Sequence, residues 1–219
     1  MSGLFIAGTD TGVGKTLVAK ALIERCIAAG KRVAAMKPVS AGCVQTPEGW
    51  LNDDVAQLRA VSNVALPLAL MNPYAFELPI APHIAAQQAG IEIDLARIES
   101  AYREIAVQSD EVIVEGVGGL LVPLNATQTA ADIVVRLNLP VILVVGMRLG
   151  CLNHALLTVE AMARRGIKLE AWVANQIDPT MRAFEDNLAS LKERISAPLL
   201  CVLPPMTTTE KTMIDKWFI

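Results

Sequence analysis

The sequence predicts an α/β fold, a mostly parallel sheet flanked by helices on both faces, and three observations carry that reading. Short, continuously apolar runs recur at residues 4–7, 33–37, 112–115, 141–146, 171–175 and 199–203. Continuous rather than alternating apolar character is what strands buried on both sides require. Segments of helical periodicity fall between these runs, so strand and helix alternate along almost the whole chain. A glycine-rich stretch, Gly8-Thr9-Asp10-Thr11-Gly12-Val13-Gly14-Lys15-Thr16, joins the first apolar run to a helical segment that begins at Leu17.

Length and composition agree with this architecture. The 219 residues suit one domain spanning residues 1–219, with no repeat, low-complexity tract or linker to divide it. Hydrophobic residues make up 53% and aromatic residues only 4%, a core of small aliphatic side chains. A net charge of −3 gives no electrostatic footprint for nucleic acid or an anionic membrane, so neither is an expected partner. No apolar run reaches the roughly 18 residues of a membrane span. The run near Val141 is bracketed by Arg136 and Arg148 and reads as a core strand. No secretion signal is visible at the N-terminus, so a cytoplasmic location is expected, with Cys26, Cys43, Cys151 and Cys201 as reduced thiols. His83 and His154 are too isolated to suggest a metal site.

The stretch from Gly8 to Thr16 has the layout of a phosphate-binding loop of the P-loop NTPase kind: strand, glycine-rich turn, Lys-Thr, helix. Its backbone N–H groups would converge on a phosphate at a helix N-terminus. Lys15 would reach the β- and γ-phosphates, and the Thr16 hydroxyl would ligate magnesium. Five residues rather than the usual four separate Gly8 from Gly14. The helix that follows puts Leu17, Ala21 and Leu22 on one face and ends at Gly30. A second helix, residues 152–165, places Leu152, Leu156, Val159 and Ala163 on one stripe and stops at Gly166.

In an open parallel sheet, ligands sit outside the carboxyl ends of the strands, so each strand end supplies candidates. Lys37 ends the second strand, either as a cation stabilising transferred phosphoryl and carboxyl groups or as a lysine reaching solvent. Asp54, in Asn52-Asp53-Asp54, is either part of a helix cap or a magnesium ligand. Glu115 closes residues 112–115 where a second acidic magnesium partner belongs, unless it caps a neighbouring helix. Gly116, Gly118 and Gly119 beyond it permit close backbone approach to a ligand. The segment 148–154 enters a helix whose free N–H groups could hold a carboxylate, with Asn153 alternatively a plain cap. Asn175 and Gln176 end another strand, and an amide there either reads a purine edge or belongs to a turn. Pro204-Pro205-Met206 either walls a base pocket or ends the last strand.

Taken in order, these segments resemble the dethiobiotin synthetases, the ATP-dependent carboxylases that close the ureido ring in biotin synthesis. The resemblance runs over about residues 5–204. It rests on the loop from Gly8, Lys37-Pro38-Val39, Asn72-Pro73-Tyr74 with Pro82-His83, Val114 to Gly119, Leu149 to His154, and Trp172 to Asn175. The five-residue loop spacing is this family's own version of the phosphate loop.

The resemblance implies that 7,8-diaminononanoate, carbon dioxide (or bicarbonate) and ATP, with Mg2+, give dethiobiotin, ADP and phosphate through a carbamate and a carbamic–phosphoric anhydride. It implies that Gly12, Val13, Gly14, Lys15, Thr16 and Leu17 hold the phosphates, and that Thr16, Asp54 and Glu115 share the magnesium. Lys37, Lys15 and Thr11 become the catalytic set, and Gly116, Val117 and Gly118 line the junction of nucleotide and substrate. Asn175, Gln176, Pro204, Pro205 and Met206 become the adenine contacts. The family is a homodimer, so Gly150, Cys151, Leu152 and Asn153 would receive the carboxylate of a substrate bound to the partner subunit. The family pattern after the lysine usually reads Pro-Val-any-Ser-Gly, whereas Ser40 here precedes Ala41, placing the serine one residue early.

Two other classes share such a core. A dimeric P-loop ATPase switch commonly carries an extra lysine where this chain has Asp10, and a basic amphipathic tail that this chain lacks. A cobalamin-pathway amidoligase carries a further glutamine-hydrolysing domain, for which 219 residues leave no room.

Overall fold

The computed structural model describes residues 2–205. Its chain opens with β1 (Ser2–Gly8), which passes through the glycine-rich loop into α1 (Lys15–Ala28) and on to β2 (Val33–Met36). A run of short elements follows: β3 (Val39–Ala41), β4 (Val44–Thr46), β5 (Gly49–Leu51), α2 (Asp53–Val61), α3 (Leu68–Met71), β6 (Tyr74–Phe76) and α4 (Pro82–Gln88). The chain then returns through α5 (Leu95–Ala106) to β7 (Glu111–Glu115) and α6 (Ala130–Leu137). Strand and helix alternate to the end: β8 (Val141–Met147), α7 (Cys151–Arg164), β9 (Leu169–Gln176), α8 (Phe184–Arg194) and β10 (Leu199–Leu203).

The six runs read from the sequence as strands form one sheet in the order β10-β9-β8-β1-β7-β2, with every pairing parallel. All residues of β2, β7 and β8 are buried, as their unbroken apolar character requires. Both α1 and α5 pack on β2 and β7, from opposite faces, while α7 lies on β8 and beside α8. The short strands between β2 and β7 are not legible in the sequence, because three-residue strands are shorter than any periodicity can reveal. They form a small parallel pair, β3 with β6, and an antiparallel hairpin, β4 with β5, beside the carboxyl end of β2.

Two helix faces differ from expectation. In α1 Ala21 and Leu22 are buried as expected, together with Val18, Ala19 and Ile23, while Leu17 is only half-buried at the start of the helix. In α7 the buried residues are Cys151, Ala155, Ala161 and Met162. The expected stripe of Leu152, Leu156 and Val159 is half-buried, and Ala163 is exposed. The true stripe is rotated because small residues, Cys and Ala, let α7 approach the sheet closely. Among the described residues no helix is long and apolar enough to cross a membrane.

The glycine-rich loop is fastened to the sheet by Val13, only 1% exposed. Its side chain fills the space left by two glycines on neighbouring strands. A Cβ at Gly8 would lie 2.7 Å from Val13 Cγ2, and one at Gly146 would lie 2.6 Å from Val13 Cγ1. The missing side chains on β1 and β8 are therefore the socket for the loop. Gly146→Ala overfills that socket, and overpacking of this kind costs about 1–3 kcal/mol. The variant is expected to melt several degrees lower, by differential scanning calorimetry, and to bind nucleotide more weakly; an unchanged melting temperature would show that Val13 is not seated there.

Candidate active site

The loop that Val13 anchors wraps the N-terminus of α1. Gly14 is its helix cap at φ 95°, in the left-handed region that favours glycine, and a Cβ there would collide with the Asn175 amide. That amide, at the end of β9, donates from Nδ2 to the Val13 carbonyl at 2.8 Å. Asn175 is thus a buried strand residue rather than a turn asparagine, and its amide is tied to the phosphate loop, a contact not expected from the sequence. The Lys15 ammonium folds back over the loop, donating to the Asp10 carbonyl at 2.9 Å and to the Gly118 carbonyl at 2.8 Å. Asp10 in turn pairs with Arg148, 2.5 Å away, and its other oxygen accepts the Thr11 N–H.

Beside the loop lies a buried cluster assembled from four elements. Lys37 follows β2 and is 4% exposed, so the solvent-seeking reading of this lysine is wrong. Its ammonium donates to Asp54 Oδ2 and to Glu115 Oε1, each at 2.6 Å. The Thr16 hydroxyl stands 2.9 Å from Asp54 Oδ1 and 3.0 Å from Glu115 Oε1. The cap of α2 is Asn52, which accepts the Asp54 N–H at 3.0 Å. Asp54 is therefore free of capping and turns its carboxylate into the cluster. Glu115 likewise caps no helix: it is 1% exposed and serves only Lys37 and Thr16.

The backbone of Lys37 is held by its neighbours in space. Its N–H donates to the Met71 carbonyl at 2.9 Å, and its carbonyl accepts from Asn72 Nδ2 at 2.6 Å. Asn72 Oδ1 also accepts the Ser40 hydroxyl at 2.7 Å. Ser40 is wholly buried, and the serine that stands one residue early is tied to Asn72 and Cys43 on β3.

Burial and charge set the protonation of this cluster. Burial, with Lys37 close by, lowers Lys15 to about 8. Burial also works to strip Lys37 of its proton, but Glu115 and Asp54 more than offset it and hold the ammonium charged. Burial raises the Glu115 carboxyl against the pull of Lys37, whereas the same lysine keeps the less buried Asp54 below the usual carboxylate range.

The oxygens at this point suit a divalent cation. Glu115 Oε2 is buried without a hydrogen-bond partner. Thr16 has one hydroxyl proton for two carboxylate oxygens, so one of those oxygens lacks a donor from it. Two carboxylates and a hydroxyl are hard oxygen ligands of the sort magnesium accepts alongside phosphate oxygens and water. Among the described residues no group of three or more His, Cys, Asp or Glu could hold a metal.

The loop and the cluster form one end of a cleft of about 1200 Å³. Thr11, Gly12, Gly14, Lys15, Thr16 and Leu17 line it from the loop side; Lys37, Ser40, Ala41, Asp54 and Glu115 line it from the cluster. Val117, Gly118, Asn175, Gln176 and Pro205 complete the set expected from sequence. Val13 and Gly116 lie behind this surface; Val13 fills its socket, and Gly116 packs so closely on Phe5 that a Cβ would meet the ring at 2.9 Å. Pro204 is not part of the lining, and Met206 lies outside the described residues. Gly150, Cys151, Leu152 and Asn153 do not line the cleft of their own chain. Gly150, not Asn153, is the cap of α7, and Asn153 is exposed there.

Sequence reasoning missed several lining residues. Lys20 and Gln57 meet across α1 and α2 at 3.3 Å, and Asn52 holds the Ala41 carbonyl at 2.9 Å. Pro79, Ile80 and Pro82, with Val122 and Pro123, make an apolar wall. Only the density of proline around residues 79–82 marked that loop in the sequence.

Comparison with known proteins gives a consistent picture. A family model described as an AAA domain matches residues 2–212. The chain is 51% identical to a protein named ATP-dependent dethiobiotin synthetase BioD from Aromatoleum aromaticum, over 96% of this chain and 93% of that one. It is 52% identical to a protein of the same name from Nitrosospira multiformis, over 92% and 88%. Among solved structures, it resembles the MinC:MinD cell division complex of Aquifex aeolicus with TM-score 0.60 at 15% identity, over 99% of this chain and 86% of that one. The cell division ATPase MinD of Pyrococcus furiosus gives TM-score 0.60 at 16% identity, over 98% and 89%. At such identities the last two likenesses carry the fold alone.

A lysine lowered to about 8 and facing a phosphate site makes nucleotide binding proton-linked. Phosphate oxygens favour the charged ammonium, so binding at pH 8 draws up about half a proton and binding at pH 6.5 draws up almost none. Calorimetric titration in buffers of different ionisation enthalpy measures this uptake. Zero uptake at pH 8 would mean that Lys15 is already fully charged in the free protein.

Proposed function

The chain belongs to the ATP-dependent dethiobiotin synthetase family, and from that premise we propose how its cleft carries out the reaction. The protein is a ligase that forms C–N bonds, converting 7,8-diaminononanoate, carbon dioxide and ATP to dethiobiotin, ADP and phosphate. One amine captures carbon dioxide as a carbamate. A carbamate oxygen attacks the γ-phosphorus, ADP leaves, and the product is a carbamic–phosphoric anhydride. The second amine attacks its carbonyl carbon, expels phosphate and closes the ring.

The observation that carries this reading is the convergence of two ammonium groups, Lys15 and Lys37, at the head of the phosphate loop. Every step makes or moves negative charge on oxygen, so fixed cations in a cleft of low polarity are what the chemistry needs. Lys15, with the loop N–H groups from Gly12 to Leu17, holds the β- and γ-phosphates. Lys37 stabilises the transferring phosphoryl group and the carbamate, and Thr11, at the mouth of the loop near Gly118, positions the carbamate. Thr16, Asp54 and Glu115 would hold a magnesium ion, which would supply neutralisation of phosphate charge. Asn175, Gln176, Pro204 and Pro205 hold the adenine in this reading, and the sequence motif adds Met206 to them. The contribution of the chain is positioning and charge stabilisation, with no covalent intermediate on the protein.

The active unit in this reading is a homodimer. Leu149, 95% exposed, precedes the N-terminus of α7, and the half-buried Leu152, Leu156 and Val159 continue the apolar surface along that helix. A partner docked there would bring its cleft to the α7 N-terminus at Gly150, Cys151, Leu152 and Asn153, where the Cys151 N–H already donates to the Arg148 carbonyl and the substrate carboxylate would be received by the remaining N–H groups. A partner-controlling ATPase is the second reading, since MinD shares the fold. It is not favoured, because Asp10 occupies the place of the expected extra lysine and pairs with Arg148.

Purified protein should release phosphate from ATP only when diaminononanoate and bicarbonate are both present, with dethiobiotin detected by mass spectrometry. Equal turnover without the diamine would favour the ATPase reading. Lys37→Ala should lower turnover by about 10²-fold or more, the scale of losing one fixed charge-stabilising group; turnover within twofold of the parent would remove Lys37 from the chemistry. Asn153→Ala should raise KM for the diamine well above any change for ATP, and an active monomer in sedimentation would end the shared-site model.

A further inference from the structure

We infer that Lys37 also decides when a metal enters: in the nucleotide-free protein its ammonium is the resident cation of the metal site, and it excludes free divalent ions until nucleotide phosphate arrives. This inference rests on the assignment of Thr16, Asp54 and Glu115 as magnesium ligands and goes beyond it.

The geometry points to the exclusion. One nitrogen, Lys37 Nζ, lies 2.6 Å from an oxygen of each carboxylate. Glu115 Oε1, which it contacts, also lies 3.0 Å from the Thr16 hydroxyl. The ammonium and an ion bound to these groups compete for the same lone pairs. A buried charge is retained only where it is paired, so Lys37 is held by one oxygen of each carboxylate that an ion would also draw on, while Glu115 Oε2 is left without a partner. Nothing else neutralises Glu115 and Asp54 so directly, for the other cation of the site, Lys15, is turned to the carbonyls of Asp10 and Gly118.

Charge balance then sets the order of events. Two carboxylates, Asp54 and Glu115, and two ammonium groups, Lys15 and Lys37, sum to zero at the end of the cleft, where Lys37 and Glu115 are buried. A divalent ion alone would leave two uncompensated positive charges there and would force Lys37 away from both partners. The ion complexed with a nucleoside triphosphate brings net negative charge instead, and its phosphate oxygens give the displaced ammonium new acceptors within the cleft it already lines. The same side chain that is proposed to stabilise the transferring phosphoryl group is thereby released toward it only when that group is present. Lys37 thus makes the site specific for a metal–nucleotide complex over a free metal.

The test measures Mn2+ binding by electron paramagnetic resonance, with and without ADP, on the parent protein and on Lys37→Met, Lys37→Gln and Lys37→Arg. Without nucleotide, the parent and Lys37→Arg should bind Mn2+ weakly, and Lys37→Met and Lys37→Gln should bind it at least about tenfold tighter, a change of the size expected between groups in direct contact. The neutral variants should also gain thermal stability when Mn2+ is added, since the ion replaces the lost counter-charge, whereas the parent should not. Having two neutral variants of different polarity guards against one failing to fold. If parent and neutral variants bind Mn2+ equally without nucleotide while ADP promotes Mn2+ binding to the parent, the exclusion role is overturned and the ligand assignment stands. If Glu115→Gln leaves Mn2+ binding in the presence of ADP unchanged, the ligand assignment itself fails, and the inference with it.

Discussion

A charge taken out of water must be compensated, and at Lys37 the compensation comes from two elements far away in the sequence. Asp54 starts α2, Glu115 ends β7, and both lie 2.6 Å from the same ammonium. Leaving Lys37 or Glu115, the two buried members, without a partner would cost about 3–5 kcal/mol, the scale for an uncompensated buried charge. The cluster therefore constrains the whole carboxyl edge of the sheet: β2, β7, α1 and α2 can meet only in the arrangement that satisfies it. Thr16 belongs to the same constraint, so the phosphate loop and the strand ends are positioned by shared hydrogen bonds.

The sheet supplies the rigidity that such a cluster needs. A parallel sheet with both faces covered places all its carboxyl ends on one edge, and loops there can differ without disturbing the core. Small residues make the close approaches. Gly8 and Gly146 leave a socket for Val13, and Gly116 rests on the Phe5 ring, so loop and strand ends are fixed by packing as well as by charge. Asn72 does the same for the segment after β2, holding the Lys37 carbonyl and the Ser40 hydroxyl together. The serine that precedes its expected position by one residue is thus built into the wall that carries Lys37.

Two regions of one chain answer different needs. The cleft collects charge and hydrogen-bonding groups, whereas the N-terminus of α7 presents exposed Leu149 and a half-buried apolar stripe away from that cleft. In the proposed dimer these surfaces complement one another: the cleft handles the nucleotide and the reacting amines, and the partner's helix start takes the far carboxylate. The ATP-dependent family to which the chain belongs is consistent with that division, and the likeness to MinD extends to the fold alone.

By itself, the sequence determined the sheet, the phosphate loop and the strand-end candidates. All six long strands were legible because buried parallel strands are continuously apolar, and Lys15, Thr16, Lys37, Glu115 and Asn175 were legible because they end those runs or follow the glycine motif. The packed chain alone decided what these residues do to one another. It showed that Asn52 rather than Asp54 caps α2, that Lys37 is buried between two carboxylates, and that Ser40 serves Asn72. It also rotated the buried stripe of α7 and added the wall around residues 79–82. The physical reason is common to all of these. Periodicity and motif spacing report contacts along one element, whereas pairing across Lys37, Asp54 and Glu115 depends on strand order, which no local pattern records.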